Sequence, residues 1–204
     1  MRGISLSLKG EGKRKTMLIN NQALFIHITK TGGITVGRLF NKKYKGNHTI
    51  PSKDKIKKYY TFTFVRHPID RFISSFEYQK ALTLKNINSQ MKLRSRMKKL
   101  NFKFEDFVVS LSKKDIESNL HYRKQCAWIV NGIDYIARFE NFENELIKIL
   151  TKINQTKKIK EIKKHNASKR RDIQSYIKSD AVVKKLHQLY KDDFNRLNYP
   201  VLPI

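Results

Sequence analysis

Apolar positions fall along this chain in two alternating patterns, short continuous runs and helical stripes. Residues 23–28, Ala-Leu-Phe-Ile-His-Ile, form a nearly unbroken apolar run that stops at a polar loop with two adjacent glycines, which predicts a strand buried on both faces. After Gly33 the spacing of Ile34, Val36, Leu39 and Phe40 predicts a helix of two or three turns. A second run from Tyr59 to Val65, dense in aromatic and β-branched residues, predicts another strand and ends at Arg66-His67-Pro68. Ile69, Phe72, Ile73 and Phe76 then recur at helical spacing, with Pro68 in the first turn, where proline is tolerated. The chain thus carries two successive strand, loop, helix units.

Weaker patterns complete the organisation. Residues 104–111 and 142–150 read as helices, 132–141 as a strand, and a final helix from Ser179-Asp180 carries Val183, Leu186, Leu189, Tyr190, Phe194 and Leu197 on one stripe. Residues 41–58 read as loop plus a short helix, 154–171 as lysine-rich loop, and 85–103 as either a basic loop or an amphipathic helix. Residues 1–20 show no clean periodicity and read as a flexible leader, leaving 21–204 as the folded domain. Strands alternating with helices imply one α/β domain with a mainly parallel central sheet flanked by helices and ligands at the carboxyl ends of its strands.

Composition narrows the function. With 39% apolar residues, twelve Phe and nine Tyr in 204 residues, the chain has the material for a substantial core. Cys126 is its one cysteine, so internal disulfides and CxxC metal sites are excluded. No apolar run is long enough to span a bilayer and no signal peptide is discernible, so the expected setting is cytoplasmic. The net charge of +27 points to anionic company: nucleic acid, an anionic membrane, an acidic polysaccharide or a phosphorylated ligand. Part of that excess follows a general preference for Lys, Ile and Asn, and each lysine run taken alone is a solvated face.

Two segments carry phosphate-binding chemistry. In "TKTGGIT" the glycines offer backbone N–H groups at a helix N-terminus, with Lys30 and Thr31 placed to add a point charge and a hydroxyl. The Walker A order is absent, because the lysine precedes the glycines, and Arg66 rather than an aspartate ends the second strand. Alone, this loop is equally well read as a tight turn. Arg66 supplies the second candidate together with Ser74, which lies roughly 140° from Ile69 on the following helix and so off the apolar stripe. An arginine binds phosphate in bidentate fashion and a serine adds a donor. Adjacent parallel strands lie about 4.8 Å apart, so two such strand ends can hold opposite ends of one nucleotide.

With both motifs in view the sequence resembles a known family. "FIHITKTGGIT" looks like the 5′-phosphosulfate loop, and "FTFVRHPIDRFISSFEY" like the 3′-phosphate motif, of sulfotransferases that use 3′-phosphoadenosine 5′-phosphosulfate (PAPS). The likeness is to carbohydrate sulfotransferases such as the heparan sulfate 2-O and 6-O and chondroitin 4-O enzymes, and extends from about Leu24 to Tyr199. It implies a P-loop-like 5′-phosphosulfate loop of Lys30, Thr31, Gly32, Gly33 and Thr35, and a 3′-phosphate site of Arg66 and Ser74. It also implies PAPS as co-substrate without a metal, and a carbohydrate acceptor, for which an acidic glycan drawn by the positive charge is a candidate. The lack of a signal anchor points to a microbial or viral member.

An acceptor hydroxyl needs a base, and six histidines are available. His27 falls in the first strand and reads as core, His67 lines the arginine turn, and His187 lies on the last helix. His48, in "KGNHTIPSK", resembles the "HxT" segment whose histidine serves as base in family members, and His121 in "LHYRKQ" is the second candidate. His165 belongs to "KKHNASKR", whose Ser168, Lys169 and Arg170 are further donor-contact candidates. Lys30 at the bridging oxygen would stabilise the leaving group. Residues 85–103 are the expected acceptor contact. Two other classes share parts of this pattern: a P-loop-like kinase of nucleotides or small molecules, and a basic nucleic-acid-binding protein.

Overall fold

A computed structural model describes residues 16–82, 91–162 and 172–202. Four strands form one sheet in the order β1-β2-β3-β4: β1 (Met17–Ile19), β2 (Ala23–Ile26), β3 (Tyr60–Val65) and β4 (Tyr135–Arg138). β2, β3 and β4 run parallel, with Phe25 beside Phe62 and Phe62 beside Tyr135, while β1 pairs antiparallel to β2. The sheet is therefore mainly parallel, as the alternation of elements predicts. β1 lies in the segment read as leader: Asn20 and Asn21, both at positive φ, turn the chain back so that Ile19 pairs with Ala23. Three residues are too few to leave a periodicity in the sequence.

Side chains alternate between the two sheet faces, as a pleated strand requires. Phe25, Phe62, Phe64 and Ala137 face one cluster, covered by α1 (Gly33–Phe40) and α7 (Phe142–Lys152) through Val36, Leu39, Leu146 and Ile149. Ile26 and Val65 face the other, covered by α3 (Pro68–Ala81), α5 (Phe104–Val109) and α8 (Asp180–Arg196) through Phe72, Phe76, Phe107, Leu186 and Tyr190. The short α2 (Lys53–Lys58) precedes β3. α6 (Lys113–Ser118), which leaves no stripe in the sequence, begins with a capping box between Ser112 and Asp115.

Two boundaries differ from the sequence reading, and a third stretch is decided between its two readings. β2 stops at Ile26, two residues early, because the chain leaves the sheet to build the glycine loop. The strand expected over 132–141 is confined to Tyr135–Arg138, since residues 139–141 coil into a 3₁₀ turn that leads into α7. Within 85–103, α4 (Met91–Lys99) is an amphipathic helix that buries Leu93 and Met97, so this stretch is partly core and not a free basic loop. Residues 83–90 lie outside the described residues.

Candidate active site

The two candidate motifs meet because β2 and β3 are neighbours. Ile26 pairs with Thr63, and the chains leaving the two strand ends rise side by side. In the first loop Lys30 adopts φ +66° and Gly32, which caps α1, φ +83°. Close approach explains why both glycines are needed. A Cβ on Gly32 would stand 2.5 Å from the Phe142 ring, and one on Gly33 1.9 Å from the His27 ring. Gly33→Ala is expected to lower Tm by several degrees and displace His27, a pairing that calorimetry and the histidine NMR resonances would register.

The threonines of the loop are turned inward. Thr31 is fully buried and its hydroxyl donates to the Ile28 carbonyl at 2.8 Å; Thr35 is buried in α1. The Thr31 hydroxyl hydrogen thus serves the turn.

Arg66 follows β3, and its main chain is clamped by the buried Gln125: Arg66 N donates to Oε1 at 2.9 Å, and Nε2 donates to the Arg66 carbonyl at 2.7 Å. Gln125 is itself set by Asp193 of α8, whose carboxylate receives the N–H groups of Gln125 and Cys126 at 2.8 and 2.9 Å. The guanidinium lies over the Phe139 ring at 4.7 Å, and Nη1 reaches the Lys30 carbonyl at 3.4 Å. Ser74 lies half-buried on α3, two turns beyond Pro68 and off the core stripe, as its spacing predicts.

Lys30 is largely enclosed, with its ammonium 4.5 Å from the centroid of the Tyr78 ring. Burial first, and then the Arg66 charge, lower its pKa from 10.5 to about 8. Among the described residues no ion pair reaches Lys30 or Arg71.

Three histidines gather at it. His48 Nδ1 donates to the His27 carbonyl at 2.7 Å, so the neutral ring carries its lone pair on Nε2, and the two rings lie 4.3 Å apart. The Trp128 indole donates to the His48 carbonyl at 3.0 Å and fixes the loop. His27, expected as a core residue, is buried as expected but contacts His48 and shares a hydrogen bond with the Tyr44 hydroxyl at 3.0 Å. Burial, followed by His48, His121 and Lys30, holds it well below the usual imidazole range. For His121, burial and then the His48, Lys30 and Arg71 charges lower the pKa to about 3. His67 instead donates from Nε2 to the Pro200 carbonyl, and His187 accepts from Leu202 N–H, so both serve the C-terminal segment.

Sequence reasoning missed the residues that hold these groups in place. Arg71 is fully buried and donates to Thr29 Oγ1, the His121 carbonyl and the Arg123 carbonyl, while Ser75 donates to that same His121 carbonyl at 2.8 Å. Their partners stand 42 to 52 residues away, and no local pattern announces them. Arg71 in "RHPIDRF", an arginine five residues after Arg66 on a helix with few exposed positions, was the one signal on offer.

Residues 16–200 match the Sulfotransferase family, so the likeness extends over nearly the whole chain. The chain belongs to that family. No curated protein and no solved structure matches it. In this sulfotransferase the glycine loop and the Arg66 turn stand at adjacent strand ends, with His48 and His121 beside them. Ser168, Lys169, Arg170 and His165 lie outside the described residues. Among the described residues no helix is long and apolar enough to cross a membrane.

Proposed function

We propose that this sulfotransferase moves a sulfuryl group from PAPS to a hydroxyl of a carbohydrate acceptor. The observation that carries the reading is the contact between Arg66 and the Lys30 carbonyl, which joins the glycine loop and the arginine turn in one cationic site. The residues fit such a donor. Two helix N-termini, α1 and α3, an enclosed lysine without a carboxylate and a glycine turn too tight for side chains all favour an extended anion. Lys30, Gly32, Gly33, Thr31 and Thr35 would form the P-loop-like cradle for the 5′-phosphosulfate, with Arg66 and Ser74 on the 3′-phosphate and Ser168, Lys169 and Arg170 as additional contacts.

PAPS supplies an activated sulfuryl group and a bisphosphate leaving group. The chain's own residues then have separable tasks. His48 Nε2 removes the proton of the acceptor hydroxyl as the oxygen attacks, with Nδ1 held by the His27 carbonyl so that the basic nitrogen is defined. Lys30 neutralises charge at the oxygen that departs. The reading needs no metal, and the positive surface draws an acidic glycan toward the site.

Label transfer from sulfur-labelled PAPS to chondroitin or heparosan tests this directly. Label is expected in at least one polysaccharide. Magnesium-dependent ATP turnover without such transfer would support a kinase instead.

A further inference from the structure

Among the buried polar groups around the site, His121 stands apart. It is only 9% exposed, and neither ring nitrogen has a hydrogen-bond partner among the described residues; Nδ1 is fully enclosed. A buried nitrogen without a partner is destabilising, and native structures keep such a group for a reason. The surroundings do not leave this ring idle by looseness. Its backbone N–H is held by Asn119 Oδ1 at 3.0 Å, and its carbonyl by Arg71 at 3.1 Å and Ser75 at 2.8 Å. Five residues of rigid apparatus, Thr29 and Arg123 included, fix one unsatisfied imidazole beside the lysine.

The ring also has a solvent-facing neighbour. It packs at 4.9 Å on Tyr78, which is 39% exposed and carries the Lys30 ammonium 4.5 Å from its centroid. Burial first, and then the charges of His48, Lys30 and Arg71, keep it neutral, so it brings no charge of its own to the binding of a phosphate or sulfate. A neutral imidazole is instead both a donor and an acceptor, the complement of an uncharged hydroxyl.

Resting on the sulfotransferase reading, we infer that His121 is an acceptor-binding residue, whose imidazole forms a hydrogen bond with a carbohydrate hydroxyl next to the one that receives the sulfuryl group. The proton-accepting task stays with His48, and His121 selects how the sugar lies. A site built to pair a substrate hydroxyl loses affinity sharply when the pair is broken, since the buried partner is then left unsatisfied.

The test uses the full chain with saturating adenosine 3′,5′-bisphosphate and measures binding of chondroitin and heparosan by calorimetry, with label transfer alongside. His121→Ala is expected to weaken binding of the polysaccharide that serves as acceptor by about tenfold and raise its KM equally. The nucleotide Kd and the acid limb of the kcat profile should stay within twofold of the parent. His121→Gln, which can still donate and accept, should recover part of the loss. Unchanged polysaccharide binding in His121→Ala overturns the inference, as does a fall in kcat with loss of the acid limb, which would make His121 the base. Nucleotide binding by the parent chain with affinity for neither polysaccharide overturns it too. Failure of the parent chain to bind the nucleotide sinks the sulfotransferase reading itself.

Discussion

Lys30→Ala is expected to lower sulfuryl transfer by about 10²- to 10³-fold, the range found when one preorganised charge-stabilising group is removed. The lysine is enclosed, stands over Tyr78 and has no ion-pair partner among the described residues, so its charge is available to a ligand. Its pKa of about 8 adds a pH signature. Lys30 must be protonated to act, and the profile of kcat/KM reports the free enzyme, so activity should fall as pH rises through about 8. In Lys30→Ala that limb should vanish. The same shift has a sign for stability. The folded pKa lies below the unfolded one, so folding with a charged Lys30 is opposed below about pH 8, and the opposition fades as pH rises toward 10.5. Lys30→Met should therefore raise the unfolding free energy at pH 7 by an amount on the order of 1–3 kcal/mol, a gain that shrinks at pH 10. A parent-like pH profile in Lys30→Ala, or a Met variant that is destabilised at pH 7, would move the charge role elsewhere.

The second large effect falls on His48. Removing a general base lowers rates by about 10²- to 10⁴-fold, and His48→Ala should do so with little change in nucleotide affinity. His48 contacts the site through its ring, while its carbonyl takes the Trp128 indole, a bond that alanine keeps. Folding should thus survive, as the nucleotide Kd would show. His48→Asn, which can still donate to the His27 carbonyl, should be as inactive as the alanine variant if the Nε2 lone pair is what matters. Retained turnover in both variants would transfer the base role to His121 and contradict the division of labour between them.

The parts of this site legible in the sequence are those fixed by local patterns. An apolar run that breaks at glycines defines the first loop, and an aromatic run that stops at Arg-His-Pro defines the second. Both depend on neighbours within ten residues. Even so, local reading put the end of β2 at Ile28, because His27 and Ile28 are buried like strand residues although they belong to the loop. The strand β1 was invisible because three residues carry no period. What local reading cannot reach is the company a residue keeps across the sheet. His27 looked like core, and its carbonyl turns out to fix the tautomer of His48, 21 residues on. Gln125 carries no local signal of its role, yet it clamps Arg66 from 59 residues away and is itself set by Asp193. Arg71 likewise ties Thr29 to His121 and Arg123. These long-range pairs do not create the motifs; they hold the motifs at one site.

The central claim is that the two loops hold one nucleotide by its two phosphates. Calorimetric titration with adenosine 3′,5′-bisphosphate and with adenosine 5′-phosphate, on the parent chain and on Arg66→Ala, isolates the second phosphate. The parent should bind the bisphosphate more tightly by at least tenfold, as expected for a charge-assisted contact worth about 1.5–3 kcal/mol. Arg66→Ala should erase that preference while binding of the monophosphate is nearly unchanged. Equal binding of the two nucleotides by the parent, or a preference that survives in Arg66→Ala, would contradict the account.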